Sequence, residues 1–524
     1  MSETIKNRSI LKRLAIAAAA PFVFFGIVEA IFAIFGAGNP DPFFIIDPND
    51  ATKMQRHPSY REFFASPPRA FLREKPNNGF RVAIVGESTV AGYPYFYATF
   101  CDRLALSLSD ALPEKNCEVI NAGMVGWTTF RLLSILDQCL EHKPDVVVWM
   151  VGHNEERSAD NVLRLRSKVT NPVSYAVGDF LQLFHVTRWL LQLRTVGIRT
   201  FSPNETRSDP RIGPEADLIQ SEFRAGLREA ARKVKNAGAR FVLTTMPRNA
   251  RTIPPHGSAS RAGSPDADSL FLKAKTLQQL GNCTEARKYY IEAAEQDLWP
   301  SRAREWTQRA IREAAAESSA SPSKTVLVDL QNLFDANGEC GVAGEEWLCD
   351  GVHPNLDGHR VIAQELLNAI SQFNFADANN PAENQQFRFD RIRSEDAMRR
   401  AFGTPELEAF SNSRALGYAM LFDAFGYPEG EISKRKSAAA GARLQLENAH
   451  ILVPGDARVA LLLGTAEIVS GDQTRGARRL LDTFPIDRAA TLEFAKIAQS
   501  SSLLLSQLSA AGIDIAEIAK KPGR

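Results

Sequence analysis

The chain has 524 residues, 44% of them hydrophobic and 23% charged, with a formal net charge of +1. That length exceeds one ordinary domain and supports a large core, and the ordinary glycine and proline content excludes collagen-like, coiled-coil and disordered classes. The balanced charge argues against a nucleic-acid partner, six cysteines are too few for a disulfide scaffold, and without CxxC or HExxH spacing neither a metal site nor any other cofactor is expected.

The first element in the chain is apolar. Residues 14–36 are broken only by Pro21 and Glu29, and at about 1.5 Å per residue they reach roughly 35 Å, enough for a hydrocarbon core of about 30 Å. Lys6, Arg8, Lys12 and Arg13 precede the run against Glu3 alone. The positive-inside rule then makes 1–13 a cytoplasmic tail and 14–36 an uncleaved signal anchor, a single pass through the cell membrane. The bulk of the chain is expected on the non-cytoplasmic, periplasmic side. Late cleavage after Gly36-Ala37-Gly38 is the alternative. Glu29 is assigned no role.

Residues 37–78 are rich in proline with scattered aromatics and no period, and they read as a stalk or linker. Short apolar runs at 81–85, 117–121, 145–151, 240–246 and 325–330 then alternate with helix-period segments such as 99–111, 129–142 and 218–237. Strands apolar on both faces between helices predict an α/β fold, a parallel sheet covered on both sides. Ligands of such sheets bind beyond the carboxyl ends of the strands. The alternation breaks at 265–318, where Leu270, Ala274, Gly281, Ala286, Tyr290 and Ala293 fall at the offsets of a tetratricopeptide repeat. Ala442, Leu446, Ala449 and Pro454 make a second match, and Leu463, Gly464, Gly471 and Gly476 a weaker third. Residues 375–524 therefore read as an all-α, tetratricopeptide-like domain, with a protein partner as one use of its repeats.

Four loops carry residues suited to chemistry. Gly86-Glu87-Ser88 ends the first strand, placing a serine at a strand-to-helix turn. Asn121-Ala122-Gly123-Met124-Val125-Gly126-Trp127 follows the second strand, and Gly152-His153-Asn154-Glu155 follows the third. Asp350-Gly351-Val352-His353 precedes a helix at 357–370. An acid three residues before a histidine can orient its imidazole through one nitrogen, leaving the other to deprotonate a hydroxyl. Each of the first two loops alone is equally a cap or a tight turn.

Together and in this order, the four loops resemble the SGNH (GDSL-type) esterase and acyltransferase superfamily, over roughly 79–250 and 320–373. A helical-repeat insertion before the last block also resembles a tetratricopeptide-bearing bacterial branch. The resemblance implies a flavodoxin-like three-layer fold over 79–264 and 319–374, with 265–318 as insertion. It implies Ser88 as nucleophile, His353 as general base and Asp350 as orienting acid. The oxyanion hole would be the Ser88 and Gly126 backbone N–H groups and the Asn154 amide. Glu87 and Glu155 stand where the family usually has aspartate, keeping the charge and adding a methylene.

These residues imply a membrane-anchored serine esterase or O-acyltransferase working through an acyl-enzyme. Location and resemblance point to an ester-bearing glycan or lipid outside the cytoplasm. The competing class is a non-enzymatic scaffold or glycan-binding protein whose helical repeats hold a partner. A cofactor-binding flavodoxin-like reading lacks both GxGxxG and GxxxxGK[ST]. His256, a loop histidine without an acid at fixed spacing, is expected in solvent rather than as a rival base. His153 is either in the pocket or in the core, and Trp127 either an acyl-pocket wall or core. Cys340 and Cys349 flank the loop to Asp350 and are expected to bridge, the alternative being two buried free thiols. Proline and glycine make 247–265 an irregular loop and a candidate lid.

Overall fold

The computed structural model describes residues 2–60, 69–195, 213–258, 265–319, 325–373, 375–377, 380–384, 386–427, 431–499 and 501–520. The chain divides into two compact units, Met1–Pro42 with Arg166–Phe201, and Phe43–Leu165 with Ser202–Arg524. The apolar run lies in α1 (Ser2–Phe35). Its stretch Ala18–Phe35 has a mean hydropathy of 2.2 and is long and apolar enough to cross a membrane.

The segment expected as a stalk is instead largely structure. β1 (Phe44–Asp47) and β2 (Asp50–Arg56) form an antiparallel hairpin, and β3 (Phe71–Leu72) pairs with β2. Phe43, Phe44 and Phe71 are buried in the main core. Proline composition suggested a linker, but Pro48 and Pro58 lie outside the strands of this ribbon, where they cost no ladder hydrogen bond. Residues 61–68 of that segment lie outside the described residues.

β4 (Gly79–Gly86) starts the main sheet and leads through α2 (Ser88–Ala91) and α3 (Phe100–Ala111) to β5 (Asn116–Gly123). A capping box starts α3, Thr99 accepting from the Asp102 N–H while Asp102 accepts from that of Thr99. α4 (Thr129–Glu141) and β6 (Val146–Met150) follow, then α5 (Ala159–Thr170), α6 (Pro172–Leu181), α7 (His185–Thr195), α8 (Ala216–Asn236) and β7 (Arg240–Thr244). α9 (Ala267–Gln279), α10 (Cys283–Gln296), α11 (Glu305–Ser319) and β8 (Thr325–Val328) complete the sheet. Its order is β5-β4-β6-β7-β8, all parallel. Every residue of β6 is buried, as a central strand covered on both faces requires. Because β5 and β6 flank β4 on opposite sides, the winding reverses there, which opens a crevice at the carboxyl ends of β4 and β6.

α11 packs on α8 and β8, so it is the crossover from β7 to β8 that a parallel pair needs. The expected insertion 265–318 thereby narrows to the α9–α10 hairpin. Leu270, Ala274, Ala286, Tyr290 and Ala293 form its core together with Ala250 and Val342.

After β8 come α12 (Leu330–Ala336), α13 (Leu356–Ser371), α14 (Glu395–Phe402), α15 (Pro405–Gly426), α16 (Ile432–Leu452), α17 (Ala457–Ser470) and α18 (Gln473–Thr483). Three shorter helices, α19 (Arg488–Gln499), α20 (Ser502–Ala510) and α21 (Ile515–Lys520), end the chain. α15 to α18 pack each on the next. Leu461, Leu480, Phe494 and Leu508 form one core within the C-terminal helices, but a second core is shared. Phe410, Leu421, Leu446 and Leu463 share one cluster with Ala91, Tyr93 and Phe96, so 375–524 is not a separately packed domain.

Candidate functional site

Ser88 is the first residue of α2, directly after β4, and is 6% exposed. Its Oγ lies 2.7 Å from Nε2 of His353. On the far side of that ring, Nδ1 lies 2.6 Å from Oδ2 of Asp350. The second carboxylate oxygen of Asp350 accepts from the Val352 and His353 N–H groups at 2.8 and 2.7 Å. Burial would raise the Asp350 carboxyl, but His353 and these N–H donors hold it at about 2. An ionised Asp350 fixes the imidazole proton on Nδ1, leaving the Nε2 lone pair to accept from the Ser88 hydroxyl. Serine, histidine and acid, expected from loops 265 residues apart, are thus brought into one hydrogen-bonded line.

The loop holding His353 is fixed from several sides. Cys349 N–H donates to the His353 carbonyl at 2.9 Å, Leu348 bridges Pro354, and Asn249 N–H donates to the Gly351 carbonyl at 2.9 Å. Asn355 caps α13 by accepting from Gly358 N–H at 2.9 Å. The described part of loop 247–265 is therefore a buttress with Arg248 and Asn249 buried, rather than a lid; 259–264 lie outside the described residues.

Of the three expected oxyanion donors, Ser88 N–H sits at the start of α2. Gly126 has φ +74°, a conformation that favours glycine, with open space where a Cβ would stand. Asn154 is 8% exposed, and its amide donates one hydrogen bond, to the Trp127 carbonyl at 3.0 Å. The Trp127 ring is half-buried between Tyr60 and the Arg131 guanidinium, 4.0 Å from its centroid. It packs as structure.

The two longer acids both use their reach on backbone. Glu87 is fully buried, and its two oxygens accept from Gly152 and His153 N–H at 2.8 and 3.0 Å. Glu155 accepts from Thr129 N–H at 2.8 Å, at the first turn of α4. Burial pushes Glu87 up to about 8, with the Glu155 charge adding to it against the N–H groups of 152–154. Burial likewise raises Glu155, to about 6.

His153 is a core residue. Its Nδ1 accepts from Ala303 N–H at 2.9 Å, and burial pushes it down to about 3. His256 departs from expectation. It is buried, with Nε2 2.6 Å from Asp423 and Nδ1 3.8 Å from Asp297. The lack of a nearby acid in sequence says nothing about acids 41 and 167 residues away. The expected Cys340–Cys349 bridge is also corrected. Cys340 is disulfide-bonded to Cys283, and Cys349 is a free thiol against the His353 carbonyl. Cys283 begins α10, so the bridge ties the helical hairpin to the segment before Asp350.

Sequence reasoning missed the wall beside the histidine. Tyr93 lies with its ring 4.3 Å from that of His353, and Tyr418 and Phe422 of α15 pack on Tyr93 at 5.3 and 6.1 Å. Tyr418 and Phe422 are four apart, one helical face, but nothing local says what that face meets.

Residues 84–271 match the model of the GDSL-like lipase/acylhydrolase family, so the chain carries a domain similar to that family. No curated protein matches the chain. A catalytic mutant of an acetylxylan esterase from Geobacillus stearothermophilus is 15% identical, with 57% of this chain and 97% of that one covered and a TM-score of 0.29. An alpha/beta hydrolase from the metagenome of Lake Arreo is 18% identical, with 59% and 96% covered and a TM-score of 0.30. A GDSL-like lipase from Bacteroides thetaiotaomicron is 13% identical, with 57% and 91% covered and a TM-score of 0.30. Likenesses of this size say nothing about substrate.

Proposed function

We propose that this chain is a membrane-anchored serine esterase or O-acyltransferase that works through an acyl-enzyme on Ser88. The observation carrying the reading is the line Ser88–His353–Asp350, with both hydrogen bonds at 2.7 Å or less. Ser88 Oγ attacks an ester carbonyl carbon while His353 Nε2 takes the hydroxyl proton. The negative oxygen is held by the Ser88 and Gly126 N–H groups and the Asn154 amide, each such donor being worth about 2.7–4 kcal/mol. His353 then gives its proton to the leaving alcohol oxygen as the C–O bond breaks. In the second half, water or an acceptor hydroxyl attacks the acyl carbon, giving its proton to His353, which returns it to Ser88.

The substrate class we infer is an ester-bearing glycan or lipid outside the cytoplasm. Two features support that location: the Ala18–Phe35 candidate span, and the Cys283–Cys340 disulfide, a bond that persists in oxidising compartments. The helical repeats remain, in this reading, a surface for a protein partner.

Fluorophosphonate labelling of the full chain, read by intact mass, tests the serine. One adduct is expected on the parent, none on Ser88→Ala, and a slowed reaction on His353→Ala. A folded parent that takes no adduct removes the acyl-enzyme reading.

A further inference from the structure

The unit formed by Met1–Pro42 and Arg166–Phe201 contains a surface that water suits poorly. None of the ten residues of α6 is buried, though most are apolar. Val177, Phe180 and Leu183 are 52%, 58% and 68% exposed. At about 1.5 Å per residue, α6 reaches only about 15 Å, half a hydrocarbon core, so it cannot span a membrane.

What α7 and Phe184 before it rest against is α1, and Phe180 of α6 reaches it through Phe184, their rings 5.4 Å apart. The Phe25 and Phe184 rings are 5.3 Å apart, as are those of Phe32 and Trp189. Between these pairs, the Glu29 carboxylate accepts from His185 N–H at 2.7 Å and Val186 N–H at 3.1 Å, and lies 2.8 Å from His185 Nδ1. Phe25, Glu29 and Phe32 fall at i, i+4 and i+7, one stripe of α1. A carboxylate within a span is costly, and here the open N–H groups and positive dipole end of α7 satisfy it. Just past α1, Gly38 at φ +83° lies so close to the backbone of His185 and Trp189 that a Cβ would collide there.

We propose that residues 172–190 are a second membrane-seated element, two short helices embedded in the phospholipid bilayer beside the C-terminal half of α1. The inference rests on reading α1 as a span. If residues 18–35 lie in hydrocarbon, whatever packs on 25, 29 and 32 lies at the same depth, and its outward apolar side chains meet lipid. Amphipathic helices with arginine or lysine on one face and tryptophan, phenylalanine or leucine on the other suit that boundary, and α7 carries Arg188, Trp189 and Leu190.

The test uses the full chain in phosphatidylethanolamine/phosphatidylglycerol vesicles, with an environment-sensitive dye on single introduced cysteines. Val177→Cys and Phe180→Cys report the short helices, Val23→Cys the span, and Leu280→Cys, in the other unit, is the aqueous reference. The unmodified protein gives the labelling background, and circular dichroism checks each variant's helix content. Blue-shifted emission that lipids brominated in their acyl chains quench is expected at 23, 177 and 180, and unquenched emission at 280. Quenching at 23 with water-like emission at 177 and 180 overturns the second membrane element and leaves the anchor standing. Water-like emission at all three positions overturns the anchor, and the second membrane element with it.

Discussion

Ser88 and His353 need a third group whose position is set to a few tenths of an ångström, and Glu87 supplies part of that setting. Its carboxylate bonds the N–H groups of Gly152 and His153, the two residues before Asn154. Glu87 therefore positions the proposed oxyanion donor rather than meeting substrate. Glu87→Asp withdraws the carboxylate by one methylene, and it can no longer reach both N–H groups. A misplacement near 1 Å costs about 100-fold in rate, so kcat for a simple aryl ester should fall by about 10- to 100-fold with KM little changed. Glu87→Gln keeps the length and one carbonyl acceptor, and should lose less. A larger loss in Glu87→Gln than in Glu87→Asp would point to charge instead of reach. The substitution of aspartate by glutamate was visible in the sequence at 87 and 155. What the extra methylene reaches was not, because the accepting N–H groups belong to other loops.

Among the elements, the loop carrying His256 and the helix α15 are joined by buried charge. His256 lies between Asp423 on α15 and Asp297 ahead of α11, with Ser301 Oγ 3.3 Å from Nδ1 and Arg302 3.9 Å from Asp297. Burial alone would lower the imidazole, but the two carboxylates outweigh it and push it up to about 9. The sign follows. A histidine held above its unfolded value near 6.5 adds stability that is complete below that pH and is lost as pH rises through about 9. The amount is on the order of 3 kcal/mol, from 1.36 kcal/mol per unit. Thermal melts should therefore show Tm falling between pH 7 and 10, and Asp423→Asn should flatten that slope. An unchanged slope in Asp423→Asn would mean that this histidine does not carry it. The same contact seats α15, whose Tyr418 and Phe422 lean on Tyr93 beside His353.

Over the whole molecule, the helices after residue 392 complete the core around the loop that follows Ser88. Tyr93 and Phe96 are 3% and 8% exposed, in one core cluster with Phe410, Leu421 and Leu446, and Tyr418 and Phe422 pack on the Tyr93 ring. Polar ties run alongside, with Arg103 on Glu395 at 2.8 Å and Tyr95 on Asn412 at 3.1 Å. A chain ending at residue 392 should aggregate or lose fluorophosphonate reactivity, although it keeps every residue of the proposed chemistry. Gel filtration and labelling of that truncated chain check this. A monodisperse, fully reactive product would show that the helices are dispensable to the site.

The sequence by itself determined what is local. Apolar runs of strand length between helix-period segments gave the parallel sheet, since a strand buried on both faces must be apolar throughout. The motif loops fell at the carboxyl ends of β4, β5 and β6 because a glycine-bearing turn after such a strand has one place to go. Only the tertiary structure decided the distant partners: Cys283 for Cys340, Asp423 for His256, α7 for Glu29, and the ribbon where a stalk was expected. Local pattern records which face an element buries, through spacing that the chain itself carries. Which other element covers that face depends on packing between segments far apart in sequence, and no spacing along the chain records it.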